Sequence, residues 1–245
     1  MNISSSSSSR VTIDGVEYPY EKDGYTIYCN RLCFLDQRVL CAFKVVGAPH
    51  SIIHINVYNP PSWYALVNPP LTTGVIRTPD GTILNDSMTI VDYVADSFPS
   101  ANLMPHDAIG RAQLRMFVEL FNSRLSPYIF RILMSGSVEA QRSNFELLLS
   151  GAREANIHIV KQWQRPSGGG GPFWLGNRFG YVEIVLAPVV NTLVVLKHYR
   201  GLEIPETLEY AAFNHWRSEF SKSPLFVEPC PSNQEMIAAF ENVVV

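Results

Sequence analysis

Cys33-Phe-Leu-Asp-Gln-Arg-Val39 sets a cysteine at the point where a strand pattern gives way to a helix pattern. Upstream, Tyr25-Thr-Ile-Tyr28 is a short run of aromatic and β-branched residues, the composition of a strand. Downstream, Val39, Leu40, Ala42, Phe43 and Val46 recur at helical spacing, and Gly47 stands where a helix stops. A thiol on the first turn of a helix meets unpaired backbone N–H groups and the positive end of the dipole. Both favour the thiolate, which is the nucleophile. A cysteine taken alone is more often a buried structural side chain; the sequence around Cys33 turns the reading toward chemistry.

After this helix, His50-Ser-Ile-Ile-His-Ile-Asn-Val57 alternates as a second strand, and Pro60-Pro-Ser-Trp63 and Asn68-Pro-Pro-Leu-Thr-Thr-Gly-Val-Ile76 follow. Asp80-Gly81 makes a turn, and Ile83-Leu-Asn-Asp-Ser87 opens a helix over 88–98. The order is β-α-β, a long connection, a β-hairpin and a helix, that of a thioredoxin-like domain. With these residues the chain resembles the cytosolic glutathione transferases, and most of all the omega-like, cysteine-bearing kind. That family's pattern runs Cys-Pro-Phe-Ala-(Gln/Glu)-Arg-Val, a Gly before the second strand, Asn-Pro-x-Gly-x-Val-Pro-x-Leu, then Glu-Ser at the third helix. Cys33, Gln37, Arg38, Val39, Gly47, Trp63, Asn68, Pro69 and Ser87 match it, with no gap between Cys33 and Val75.

The resemblance implies that Cys33 is catalytic and that glutathione is met by Phe34, Tyr58, Gly74, Val75, Asp86 and Ser87. Asp86-Ser87 keeps the half that receives the γ-glutamyl end: Ser87 and its N–H for the carboxylate, Asp86 for the amine. An ordinary Asp/Ser helix cap has the same residues. The other half departs. The family's cis proline falls on Gly74, and a non-proline cis bond costs about 2.5–4 kcal/mol, so a trans bond and a reshaped loop are expected. The lysine that meets the glycine carboxylate falls on Tyr58, which supplies no charge, a second basic position falls on Pro60, and the proline after the cysteine is Phe34. Asp36 stands where the family prefers alanine. It shares a helical face with Cys33, where it can cap the helix and also repels a thiolate. Arg31 and Arg38 are the cations at hand to offset it.

Composition suits a globular enzyme: 245 residues, 47% hydrophobic and 17% charged, enough for a large core in one or two domains. A net charge of −3 gives no electrostatic case for nucleic acid or an anionic membrane. The four cysteines, Cys29, Cys33, Cys41 and Cys230, form neither a disulfide framework nor a C-x-x-C or zinc pattern, and a reducing, cytoplasmic compartment is the simple reading. The start of the chain carries six consecutive serines, and residues 1–19 are expected to be a disordered tail without the apolar stretch of a secretory signal.

The second half reads as helical, with a thioredoxin-like domain over 20–98, a linker over 99–105 and an all-helical domain over 106–245. One long helix is expected from His106 to about Leu133, another over 143–164, and then a glycine-rich loop at 166–172 that lacks the Lys-Ser/Thr of a phosphate cradle. Gly180-Tyr-Val-Glu183 keeps the acid of a capping box and loses its hydroxyl, a cost of about a few tenths of a kcal/mol. The apolar stretch 184–196, interrupted by Pro188 and Asn191, is shorter than the ~20 residues a bilayer needs and reads as a buried helix. Phe117, Phe121, Arg124, Tyr128 and Arg131 fall on one face of the first long helix, which by resemblance lines the acceptor pocket, although an aromatic stripe is more often core. His54, His158, His198 and His215 show no ligand spacing.

Three functions follow. The first is a glutathione transferase-like enzyme that acts on a small reactive organic metabolite through Cys33, by thiol transfer, conjugation, deglutathionylation or isomerisation, with glutathione bound weakly. The second is a glutathione-independent isomerase or cyclase on the same fold, favoured by Phe34, Asp36, Tyr58 and Gly74. The third is a non-catalytic binding or regulatory member. A two-fold homodimer is implied by the resemblance.

Overall fold

The computed structural model describes residues 9–13, 16–165 and 170–244. All but the last residue of the serine run and most of the glycine-rich loop lie outside the described residues. Strands β1 (Ser9–Ile13) and β2 (Val16–Tyr20) pair antiparallel, which corrects the expectation of disorder through residue 19. The physical reason is in β2. Tyr18 is buried and stacks on Trp63 with ring centroids 6.5 Å apart, the Tyr28 hydroxyl donates to Pro19 O at 2.9 Å, and the Arg77 guanidinium covers the Tyr20 ring at 4.1 Å. Aromatic burial of this kind offsets the ordering entropy that a serine tract cannot.

The second sheet has the order β4-β3-β5-β6. From β3 (Tyr25–Cys29) the chain passes through helix α1 (Phe34–Val46) to β4 (His50–His54), which lies parallel to β3 with Ile27 opposite Ile52. A parallel pair needs a crossover, and α1 supplies it. The long connection holds a single turn, α2 (Tyr64–Val67), before β5 (Val75–Arg77) and β6 (Ile83–Leu84) add antiparallel, and α3 (Ser87–Ser97) closes the unit. One face of the sheet packs on α1 and α3. The other buries Tyr18, Tyr28, Ile55, Tyr64, Val67 and Val75 as a smaller core.

Beyond residue 98 the described elements are helical: α4 (Ala108–Arg124), α5 (Ser126–Leu133), α6 (Val138–Trp163), α7 (Tyr181–Asn191), α8 (Leu193–Arg200), α9 (Ala211–Phe220), α10 (Pro224–Val227) and α11 (Asn233–Ala239). The expected single helix to Leu133 is two helices, broken at Leu125, whose φ of −121° and ψ of −60° leave the helical path. Pro127 explains the restart, since proline suits the first turn of a helix and not its interior. The apolar stretch is likewise two helices meeting at Thr192. Tyr181–Arg200 is long and apolar enough to cross a membrane, yet 83% of its most apolar window is buried inside the fold. Glu183, fully buried at the start of α7, accepts from Gly180 N at 3.0 Å, Trp174 N at 2.9 Å and Trp216 Nε1 at 2.9 Å. A buried carboxylate with three N–H donors fixes the entire approach to α7. One continuous core joins both halves, from Ile27 and Phe43 to Trp216 and Met236, and α1 packs directly on α7.

Candidate active site

Cys33 is the N-cap of α1, one residue earlier than the first turn, with extended backbone (φ −78°, ψ 117°). Its N–H donates to Asn30 O at 2.9 Å and its carbonyl accepts from Gln37 N at 3.1 Å. Cys33 is half-buried, whereas Cys29, Cys41 and Cys230 are buried. The expected thiolate is not what the surroundings favour. Burial first, and the Asp36 carboxylate second, push the Cys33 thiol up to about 11, against smaller lowering by helix N–H groups. Desolvation and a like charge thus oppose the helix dipole at this thiol.

Asp36 is 1% exposed. It accepts from Asn30 N at 2.7 Å, and its charge acts on the neighbouring Cys33 thiol. Burial raises its pKa and hydrogen bonding holds it back. Neither expected cation forms an ion pair with it. Arg31 turns to the C-terminal region, donating to Cys230 O at 2.9 Å and pairing with Glu235 at 2.8 Å. Arg38 is buried under the site, its Nε donating to Val185 O at 2.9 Å and its Nη1 to Ser87 Oγ at 3.5 Å.

The bond before Gly74 is trans, as its lost proline predicts: the cis peptide among the described residues is Gly171–Pro172. Gly74 has φ +77° and donates its N–H to Tyr28 O at 3.1 Å. A Cβ there would lie 2.8 Å from Asp36 Oδ1. The two departures from the family pattern are thus one change: the carboxylate fills the space that a side chain at 74 would take. Leu71, at the family's glycine position, is held at φ +59°, a strained conformation for a branched side chain. Val75, next in line, is fully buried in the sheet.

At the start of α3, Asp86 is the N-cap and accepts from Thr89 N at 2.8 Å, yet it does so at φ +69°, outside the extended backbone an N-cap normally adopts. Ser87 is buried with its hydroxyl on Arg38. The charges of both Asp86 and Cys33 act on Arg38, so the guanidinium links the α1 and α3 N-termini. Arg38 is matched in the sequence and given no ligand role there; its match to the family pattern was the available signal, and its burial shows only in the fold. Tyr58, expected on the glycine-carboxylate side, is 90% exposed on a turn, where its N–H donates to Asn56 Oδ1 at 3.0 Å.

The expected acceptor pocket is dispersed. Phe117 and Phe121 are core, Phe117 stacked on Trp174 at 4.3 Å and Phe121 packed against Phe213 and Trp216. Arg124, exposed, faces Glu154 at 3.9 Å. Tyr128 and Arg131 sit on the separate helix α5 as a cation–π pair, Arg131 Cζ 5.3 Å from the ring. The residue of α5 that does reach the site is Phe130, stacked on Phe34 with centroids 4.9 Å apart.

Residues 33–97 match the family described as glutathione S-transferase, N-terminal domain. The chain is 29% identical over 117 residues to glutathione S-transferase omega-1 of Mus musculus, a match covering 48% of each chain. It is 23% identical over 217 residues to pyrimidodiazepine synthase of Drosophila melanogaster, covering 87% of this chain and 79% of that one. Glutathione transferase Omega 3C from Trametes versicolor superposes with a TM-score of 0.75 at 20% identity, over 91% of this chain and 92% of that one, a likeness of fold. The chain spans about half the length of the omega-1 relatives it matches. Residues 33–97 thus carry a glutathione S-transferase N-terminal domain, and the chain is similar in sequence to omega glutathione transferases and shares their fold.

Proposed function

We propose that the protein is a glutathione transferase-like enzyme acting on a small reactive organic metabolite, with Cys33 forming a mixed disulfide in thiol transfer or deglutathionylation. The observation that carries this reading is the Arg38 bridge: one buried guanidinium reaches Ser87 Oγ and feels the charges of Asp86 and Cys33. A helix N-terminus, a hydroxyl and a guanidinium together suit the γ-glutamyl carboxylate. Because Tyr58 offers no charge to the opposite carboxylate, glutathione is held at one end, and the missing charge-assisted contact costs about 1.5–3 kcal/mol, roughly ten- to hundredfold in affinity. Calorimetric titration tests this. Glutathione should bind weakly and Ser87→Ala should weaken it about tenfold further; an unchanged affinity in the variant removes the site from α3.

A second reading is a glutathione-independent isomerase or cyclase on this fold. It is supported by the exposed Tyr58, the Gly74 loop at φ +77° and the similarity, over 87% of this chain, to a pyrimidodiazepine synthase. Undetectable glutathione binding favours it. In either case we place the enzyme in the cytoplasm, as a homodimer without nucleic-acid or membrane partners.

A further inference from the structure

Asp36 sits three residues after the N-cap Cys33, at the position where an acid ordinarily turns back to the N-cap's own N–H. Here the Cys33 N–H is already given to Asn30 O, and the carboxylate reaches past it to Asn30 N at 2.7 Å. Asp36 acts by its charge on the Cys33 thiol beside it, from the same helix start. It is 1% exposed, and no lysine, arginine or histidine pairs with it among the described residues. Gly74, at φ +77°, makes room for it, since a Cβ would come within 2.8 Å of Oδ1. A buried carboxylate without a cation is unfavourable for the fold. Two positions distant in sequence nevertheless combine to hold one against the thiol.

We propose that Asp36 is a catalytic residue, the carboxylate that accepts the Cys33 proton as the sulfur attacks a disulfide and returns it to the departing thiol. The proposal rests on the thiol chemistry of Cys33 set out above. In the step, Cys33 S–H and a disulfide R–S–S–G give Cys33–S–S–G. The new S–S bond forms from the cysteine sulfur's electron pair, the old S–S bond breaks with its pair left on R–S⁻, and the proton passes from the thiol to Asp36 and on to R–S⁻, which leaves as R–SH. Glutathione thiol then attacks Cys33–S–S–G, releasing glutathione disulfide and restoring Cys33 S–H. Before attack the cleft holds one proton and one negative charge between the two groups, so it never carries both anions. The other titratable groups whose charges couple to the pair are poor acceptors. Cys29 and Tyr64 are held protonated, first by burial and also by Asp36, and Arg38 is a cation.

Three probes on the full chain at pH 7 separate proton transfer from simple repulsion. They are bis(2-hydroxyethyl) disulfide, whose leaving alkylthiolate needs a proton; 5,5′-dithiobis(2-nitrobenzoate), whose arylthiolate does not; and iodoacetamide, which needs only the thiolate. Modification of Cys33 is followed by peptide mass spectrometry. In Asp36→Asn the alkyl disulfide, which needs both the base and the returned proton, should react about 10²-fold more slowly, and the aryl disulfide and iodoacetamide, which need the base alone, should slow by a smaller factor, whereas relief of repulsion alone would speed all three. Equal change with all three probes, or no slowing with the alkyl disulfide, overturns the role. Wild type gives a test free of folding effects. Across alkyl disulfides of graded leaving-group pKa its rate should be nearly flat, and the steep dependence of an unassisted thiol overturns the proposal. If Cys33 reacts with none of the probes, or Cys33→Ser consumes the alkyl disulfide as fast as wild type, the thiol reading itself fails and Asp36 falls with it.

Discussion

At position 74 a glycine does work that the related proline cannot. Its φ of +77° lies outside the range a proline ring permits, and its N–H is committed to Tyr28 O. Gly74→Pro, the change that would restore the family pattern, is therefore expected to destabilise the fold by about 2–4 kcal/mol and not to tighten glutathione binding, seen as a lower urea midpoint with unaltered slope. Burial and Asp36, the carboxylate that this glycine makes room for, govern Cys33. With its thiol pushed up to about 11, alkylation should be slow at pH 7 and rise tenfold per pH unit up to pH 10 without a plateau. Cys33 should still be labelled before Cys29, Cys41 and Cys230, which are buried; a plateau near pH 7 would show that the dipole outweighs burial and Asp36. Asp36's repulsion was readable beside Cys33 in the sequence. Its burial against Gly74 was not, because nothing local records which loop closes over a helix start.

Elements show why some readings carried into three dimensions and others did not. The strand-to-helix handover at Cys33 and the α3 start at Asp86 are local devices of spacing and capping, so they are legible in the residues that make them. The face from Phe117 to Arg131 was extended through Ser126-Pro127, and one proline divided it into core aromatics on α4 and a surface pair on α5. The strength of α11 was also invisible, since Arg31 and Glu235 lie at opposite ends of the chain. The Ser232 backbone N–H and hydroxyl first, then Arg31, hold Glu235 down to about 2. Its folded pKa is depressed below the ordinary ~4.3 of the unfolded chain, so its stabilisation is complete above that pH and is lost as pH falls through about 2. Urea midpoints at pH 5, 3.5 and 2.5 should fall more in wild type than in Glu235→Gln. Parallel falls would mean that the charge of Glu235, through Ser232 and Arg31 together, contributes nothing to folding.

For the whole molecule the open question is what covers α4. Ile109 is 71% exposed and Met116 67% exposed, seven residues apart and so two turns along one outer face. Single exposed apolar side chains are ordinary, but two in register on a long surface helix form a strip that an isologous partner can bury against its own copy. Closed two-fold pairing is the commonest arrangement of soluble oligomers. Light scattering on the eluting protein at micromolar concentration should therefore return twice the 27.5 kDa of one chain. Ile109→Glu with Met116→Glu sets a carboxylate opposite its own copy across the axis. It should shift the mass to that of one chain while leaving the far-ultraviolet circular dichroism unchanged, because neither side chain contributes to the core. A dimer that survives the double change pairs through another face, and a wild-type mass of 27.5 kDa leaves Cys33, Asp36 and Arg38 to work within a single chain.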